Sequence, residues 1–165
     1  MRHASKTYPK PQINEALRLI PDINVLLSGV TGDKGPAVEL YALARRFELV
    51  WVLYEGHFDE MTRVLGYPQV QRLGSAPLEP ARAFSIAAEL YRIGEYHERL
   101  EHFEWPSCPD RKDWYLLDLL LTSNADGIVT HDRHVLTAGE RLSLNIFTPK
   151  VWRKRLLNTS PPSGA

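Results

Sequence analysis

Short β-prone runs alternate along this chain with segments patterned for helices, and that alternation limits the fold more than any other feature. Leu17–Ile20, Leu49–Val52, Gly127–Thr130 and Asn145–Thr148 are rich in apolar and β-branched residues over about one strand length. Between them, Ala37–Phe47 follows Gly35-Pro36 and sets Val38, Tyr41, Leu43, Ala44 and Phe47 at helical spacing. His57–Leu65 repeats the pattern with Phe58, Met61, Val64 and Leu65, and Gly66 and Pro68 stop it. Pro80–Glu101 reads as a longer helical region interrupted near Gly94. After a turn at Pro106–Pro109, Asp113 opens a leucine-rich helix over Trp114–Thr122, and Pro149 opens a last, basic helix. Strands that alternate with helices pair in parallel, so the expected architecture is a three-layer α/β/α sandwich around a central parallel sheet. One joint stays open. Proline lacks a backbone donor, so Pro21-Asp22 ends the first strand, while Ile23–Leu27 fits a buried strand as well as a buried helix.

A chain of 165 residues suits one domain. Met1–Gln12, with Arg2, Lys6, Lys10 and two prolines, and Ser160–Ala165 have the composition of flexible tails. The expected organisation is a basic tail over 1–12, a single domain over 13–157 and a second tail over 158–165. Formal net charge is zero, so a polyanion would have to be held by a local patch. Both chain ends offer one, through Arg2, Lys6 and Lys10 and through Lys150, Arg153, Lys154 and Arg155, although solvated termini explain such runs equally well. Cys108 is the only cysteine, which excludes an internal disulfide and the usual structural zinc site. With no apolar stretch of secretion or membrane-spanning length, the reading is a cytoplasmic protein without a membrane role.

In a parallel α/β sheet the site lies beyond the carboxyl ends of the strands. Asp22 follows the first strand, Glu60 lies early in the helix after the second, and Asp132 follows Gly127–Thr130. Asp113 opens the helix that leads into that strand. Gathered at one edge, these carboxylates would repel each other and raise their pKa values, and their companion would be a hard cation such as Mg²⁺ or Mn²⁺. Such an ion activates water and offsets charge on a phosphate, which is the chemistry of phosphodiester hydrolysis. The plain alternative is a set of separate surface acids and helix caps, a role that suits Asp113. With 20 acidic residues to choose from, position alone favours the plain alternative.

The motifs around these acids change the balance. Pro21-Asp22-Ile23-Asn24-Val25-Leu26-Leu27-Ser28 resembles the opening motif of the PIN-domain ribonucleases, and Glu60–Leu65 with Pro68 resembles their helical glutamate motif. Pro109–Leu116 resembles the third motif and Ala125–Asp132 the fourth, in the family's order and spacing from about Leu17 to Thr148. The resemblance implies that Asp22, Glu60, Asp113 and Asp132 bind the metal, with Asn24 and Thr130 holding them in place. It also implies a helix starting at Asn24–Ser28. Further implications are Mg²⁺- or Mn²⁺-dependent cleavage of RNA, a role as the VapC-like toxin of a toxin-antitoxin pair with an antitoxin protein as partner, and a homodimer.

Two features depart from the family pattern. Pro21 replaces an apolar strand residue, which bears on where the Asp22 carboxylate stands, and Asp110 competes with Asp113 for the third position. Asp113 is preferred because the apolar helix starts directly after it. Asp126 is read as a turn residue and Asp118 as a solvent-facing helix position. His131, Arg133 and His134 flank Asp132 without metal-ligand spacing, leaving at most a phosphate contact for His131 or Arg133. His97 and His102 read as helix surface. Trp51, Trp105 and Trp114 sit in apolar runs and suggest core packing, while Trp152 among Lys150, Arg153 and Lys154 is the one candidate for stacking on a base, with packing against the sheet slightly favoured even there. Gly29–Gly35 reads as a mobile loop near Asp22 without a phosphate-cradle motif, and Ser28 lacks the partners of a serine hydrolase. The competing readings are a PIN-like nucleic-acid or protein-binding scaffold without catalysis, and a small phosphatase or nucleotide hydrolase.

Overall fold

A computed structural model describes residues 16–65 and 80–159. The tail reading for 1–12, with Arg2, Lys6 and Lys10, lies outside the described residues, as do Gly66, Pro68 and Ser160–Ala165. The chain runs β1 (Leu17–Pro21), α1 (Ile23–Thr31), α2 (Pro36–Arg45), β2 (Leu49–Tyr54) and α3 (Glu55–Leu65). It continues through α4 (Pro80–Ile93), β3 (Glu95–His97), a 3₁₀ turn (Arg111–Asp113), α5 (Trp114–Ser123) and β4 (Gly127–Val129). It closes with α6 (Arg133–Leu142), β5 (Ile146–Phe147) and α7 (Pro149–Thr159). The last helix therefore includes Asn158 and Thr159.

The five strands form one parallel sheet in the order β3-β2-β1-β4-β5. Alternation along the strands divides the apolar side chains between two faces. Leu19, Trp51, Leu53 and Val129 join one core with residues of α1 to α4 and Trp152 of α7. Ile20, Val52, Ile128 and Ile146 join the other, with Leu116, Leu117 and Leu120 of α5 and Val135 and Ala138 of α6. The architecture is the expected three-layer α/β/α sandwich. Burying a leucine-sized side chain contributes about 1.5–3 kcal/mol, so two such cores hold the sheet edges in fixed relation. Among the described residues no helix is long and apolar enough to cross a membrane.

Pro21 ends the middle strand without breaking it. Registered pairing of β1 with β2 stops at Leu19 opposite Trp51, whereas Pro21 stands opposite Val129 of β4. The missing proline N–H would face the β2 side, so no ladder bond is lost there. The Pro21 carbonyl on that side accepts from His57 Nε2 at 2.8 Å, and the next amide, of Asp22, turns to the Val129 carbonyl at 2.9 Å. The open Ile23–Leu27 joint is resolved as helix α1, whose Ile23, Val25, Leu26 and Leu27 are all buried.

Several sequence readings are corrected. The Pro80–Glu101 helix stops at Ile93, and Glu95–His97 becomes strand β3 along β2. His97 is thus a strand residue, and His102 lies in the following loop. Gly29–Thr31 complete α1, so the supposed loop begins at Gly32, and Gly35 at φ 115° supplies the left-handed turn into α2. Of the two readings of Trp152 the favoured one, packing against the sheet, holds: it is buried, with Nε1 donating to the Ile128 carbonyl at 2.8 Å, and is no platform for a base. Asp118 is buried rather than solvent-facing: its Oδ1 accepts from Phe103 N at 3.0 Å and Trp105 Nε1 at 2.8 Å. His102 Nδ1 stands 3.2 Å from its Oδ2, so this carboxylate ties the 98–105 loop to α5.

Candidate active site

The carboxyl ends of β1, β2 and β4 meet where the strand order reverses around β1, the position at which open α/β sheets hold ligands. A cavity of about 430 Å³ opens there. Asp22, Glu60, Asp113 and Asp132 all line it, together with Asn24, Asp110, Tyr115, Arg63 and Lys112. Tertiary structure therefore brings the four carboxylates singled out in the sequence to one place.

Each reaches the cavity by a different local route. Asp22 is the residue between β1 and α1, in extended backbone. Asp132 holds the equivalent place between β4 and α6 and also caps that helix, its Oδ1 accepting from His134 N at 2.7 Å and Val135 N at 3.3 Å. Glu60 sits on α3, which starts directly after β2. Asp113 closes the 3₁₀ turn before α5 and makes no side-chain capping bond, contrary to the helix-cap alternative, so its carboxylate remains available to the cavity. Asp110 lines the same cavity, but its Oδ1 accepts from Lys112 N at 3.0 Å and caps the turn. Of the two, only Asp113 lines the cavity without a capping bond.

Thr130, fully buried, joins two of the acids. Its hydroxyl donates to Asp22 Oδ2 at 2.8 Å and accepts from the Asp132 amide at 2.9 Å. Asn24 is exposed on the first turn of α1 at the cavity wall. Behind them lies a residue the sequence reading did not single out. His57 is buried, receives the Tyr54 amide on Nδ1 at 3.1 Å, and donates from Nε2 to the Pro21 carbonyl. Those partners fix the neutral tautomer with the proton on Nε2, and burial pushes its pKa down to about 4. His57 thereby fastens the start of α3 to the end of β1. Its only sequence signal was a histidine at the start of an otherwise amphipathic helix.

The electrostatics show mutual repulsion. Burial, then the charges of Asp132, Asp110 and Asp22, raise the Asp113 carboxyl to about 6. Asp22 is raised as well, mainly by burial, with the Thr130 hydrogen bond opposing and the Asp132 charge adding. Burial holds the Tyr115 phenol well above its ordinary value, and Asp22, Glu60 and Asp113 push the same way. Arg63 grips both oxygens of Glu60 from the next turn of α3. Among the described residues no three His, Cys, Asp or Glu side chains are already disposed to hold one metal ion. Acids that raise one another's pKa while offering hard oxygen donors are still the chemical set that a divalent cation relieves, so the residues fit such an ion.

The cations nearest this chemistry are Arg63 and Lys112, and neither was picked out beforehand. Each lies beside a singled-out acid in sequence, a signal too common on helices to stand out. Lys150, Arg153 and Lys154 sit on α7 and do not line the cavity; Arg153 pairs with Glu39 of α2 at 2.7 Å. His131, Arg133 and His134 are exposed near Asp132 and outside the lining.

A family model for the PIN domain matches residues 18–134, the span that carries all four of these acids. The chain belongs to the PIN-domain family, whose members are generally metal-dependent nucleases. No curated protein matches the chain.

Proposed function

We propose that this protein is a Mg²⁺- or Mn²⁺-dependent endoribonuclease that hydrolyses RNA phosphodiester bonds. The observation that carries the reading is the gathering of Asp22, Glu60, Asp113 and Asp132 in one cavity at the sheet's switch point. These four side chains would hold the cation, with Glu60 exchanging its pairing to Arg63 for the ion. When bound, the ion lowers the pKa of a water and offsets charge on the phosphate.

The chain's own groups then have distinct tasks. Thr130 keeps the Asp22 carboxylate and the Asp132 backbone in register. Arg63 and Lys112 supply positive charge at the cavity wall for the flanking phosphates of a strand that net charge alone would not attract. His57, kept neutral, sets the spacing between Asp22 and α3 without exchanging protons. Lys150 and Lys154 are exposed on α7, outside the cavity lining, and would extend the contact along RNA.

The test is cleavage of single-stranded RNA with Mn²⁺ by the wild type and Asp22→Asn. The wild type should cut while the variant, still folded, should neither cut nor bind Mn²⁺ normally; equal cleavage by both would end the reading. Two observations favour a second reading, a binding scaffold without catalysis: Glu60 is held by Arg63, and among the described residues no three ligands are preassembled. RNA binding without saturable Mn²⁺ binding would establish that alternative. The toxin role, the antitoxin partner and the homodimer belong to the same proposal and are supported by family membership alone. Growth arrest on expression and sedimentation of the purified chain test them.

A further inference from the structure

We propose that the Tyr115 hydroxyl is a substrate contact, donating to a non-bridging oxygen of the phosphodiester held over the carboxylates. The inference rests on the nuclease reading and adds a named contact to it. Tyr115 lies in the first turn of α5, two residues beyond Asp113, and lines the same cavity as the four acids. Its ring stands edge-on to His57, with centroids 5.2 Å apart and planes at 87°. His57 is in turn bonded to the backbone of Tyr54 and Pro21, at the ends of β2 and β1. The same scaffold that sets Asp22 therefore sets the direction of the phenol.

Among the described residues the Tyr115 hydroxyl has no hydrogen-bond partner. A fixed hydroxyl that lines a polar cavity without a protein partner is free to bond to something that enters it. The neighbouring charges narrow what that can be. A cationic side chain here would pair with Asp22 or Asp113 and compete with a bound cation, whereas a neutral phenol does not. It presents one donor, and a phosphodiester presents the complementary acceptor on its non-bridging oxygens. Of the other side-chain donors on the cavity wall, Arg63 and Lys112 are charged and better suited to neighbouring phosphates, and Asn24 stands on the opposite flank of Asp22 in sequence, without a ring to fix its direction.

The test compares wild type and Tyr115→Phe, which keeps the ring against His57 and removes only the hydroxyl. Affinity for a single-stranded RNA oligonucleotide is measured with Ca²⁺ replacing Mn²⁺, and cleavage is measured with Mn²⁺. The expected result is a loss of roughly ten- to a hundredfold in RNA affinity and in kcat/KM, as for a hydrogen bond to a charged group. Mn²⁺ affinity by calorimetry and the thermal midpoint should stay unchanged. Unchanged RNA affinity and kcat/KM would overturn the contact and leave the nuclease reading intact. A parallel loss of Mn²⁺ binding would also overturn it, by showing that the hydroxyl acts through the cation site. If the wild type binds RNA without cutting it, the nuclease reading fails and the affinity comparison still decides the role of Tyr115. No RNA binding by the wild type would overturn both.

Discussion

The Thr130 hydroxyl donates to Asp22 Oδ2 at 2.8 Å while accepting from the Asp132 amide at 2.9 Å, so one buried side chain links the ends of β1 and β4. Thr130→Val keeps the shape and removes both bonds, leaving a buried amide and a carboxylate oxygen unpaired. The expected cost is about 1–3 kcal/mol of stability, measured by urea denaturation. RNA cleavage should fall at least tenfold, because Asp22 loses the partner that orients it; a variant with full activity would show that Asp22 needs no such support.

Repulsion among Asp22, Asp113 and Asp132 makes the folded protein a better host for a divalent cation than the unfolded chain. At a Mn²⁺ concentration of a hundred times Kd, binding stabilises by about 2.7 kcal/mol, a rise of roughly 5–10 °C in Tm for a domain of this size. Differential scanning fluorimetry should show that rise in the wild type and its loss in Asp132→Asn. Asparagine caps a helix about as well as aspartate and relieves the repulsion on Asp22 and Asp113, so the metal-free Tm of the variant should be no lower than that of the wild type.

Metal-free stability should vary with pH in two opposed ways. Asp113 titrates near 6 in the folded protein, above its ordinary 3.8, so the folded state holds this proton more tightly. Its contribution is full below about pH 4 and is lost as pH rises through about 6. His57 is depressed from 6.5 to about 4, so the unfolded state takes up its proton first. Its contribution is present above about pH 6.5 and lost as pH falls toward 4. The two slopes offset in the wild type and separate by difference. Asp113→Asn should gain stability relative to wild type between pH 4 and 6, and thermal melts across that range would show it.

Asp118 tests a structural claim apart from the site. Asp118→Ala leaves Phe103 N and Trp105 Nε1 without their acceptor, and stability should drop by about 2–4 kcal/mol. Mn²⁺ affinity should change little if the 98–105 loop is released without moving Asp113. Denaturation and calorimetry on the same variant check both.

Asp22 and Asp132 were legible in the sequence because each stands within two residues of the end of a β-prone run, and the motifs around them then outweighed the plain alternative. Glu60 and Asp113 were legible through the ordered motifs, since neither adjoins a strand end so closely. Asp118 was not, because which face of a leucine-rich helix is covered depends on a loop that arrives from 98–105. β3 was missed because Glu95-Tyr96-His97 has little strand signal of its own and borrows its conformation from pairing with β2. Trp152 stayed open between base contact and packing because its sequence neighbours are basic; the structure decides for packing, since Gly127 leaves the space its ring fills, and a Cβ on that glycine would run into Trp152 and the Asn145 carbonyl.

By itself the sequence determined the alternation of strands and helices, hence the parallel sheet, because these depend on periodicity and near neighbours, and it marked the four acids through motifs that resemble those of the PIN family. Only the tertiary structure decided which cations stand beside those acids, how Thr130 and His57 hold them, and which acids are spent on capping. Those outcomes rest on contacts between segments far apart in the chain, where distance and burial set the energy.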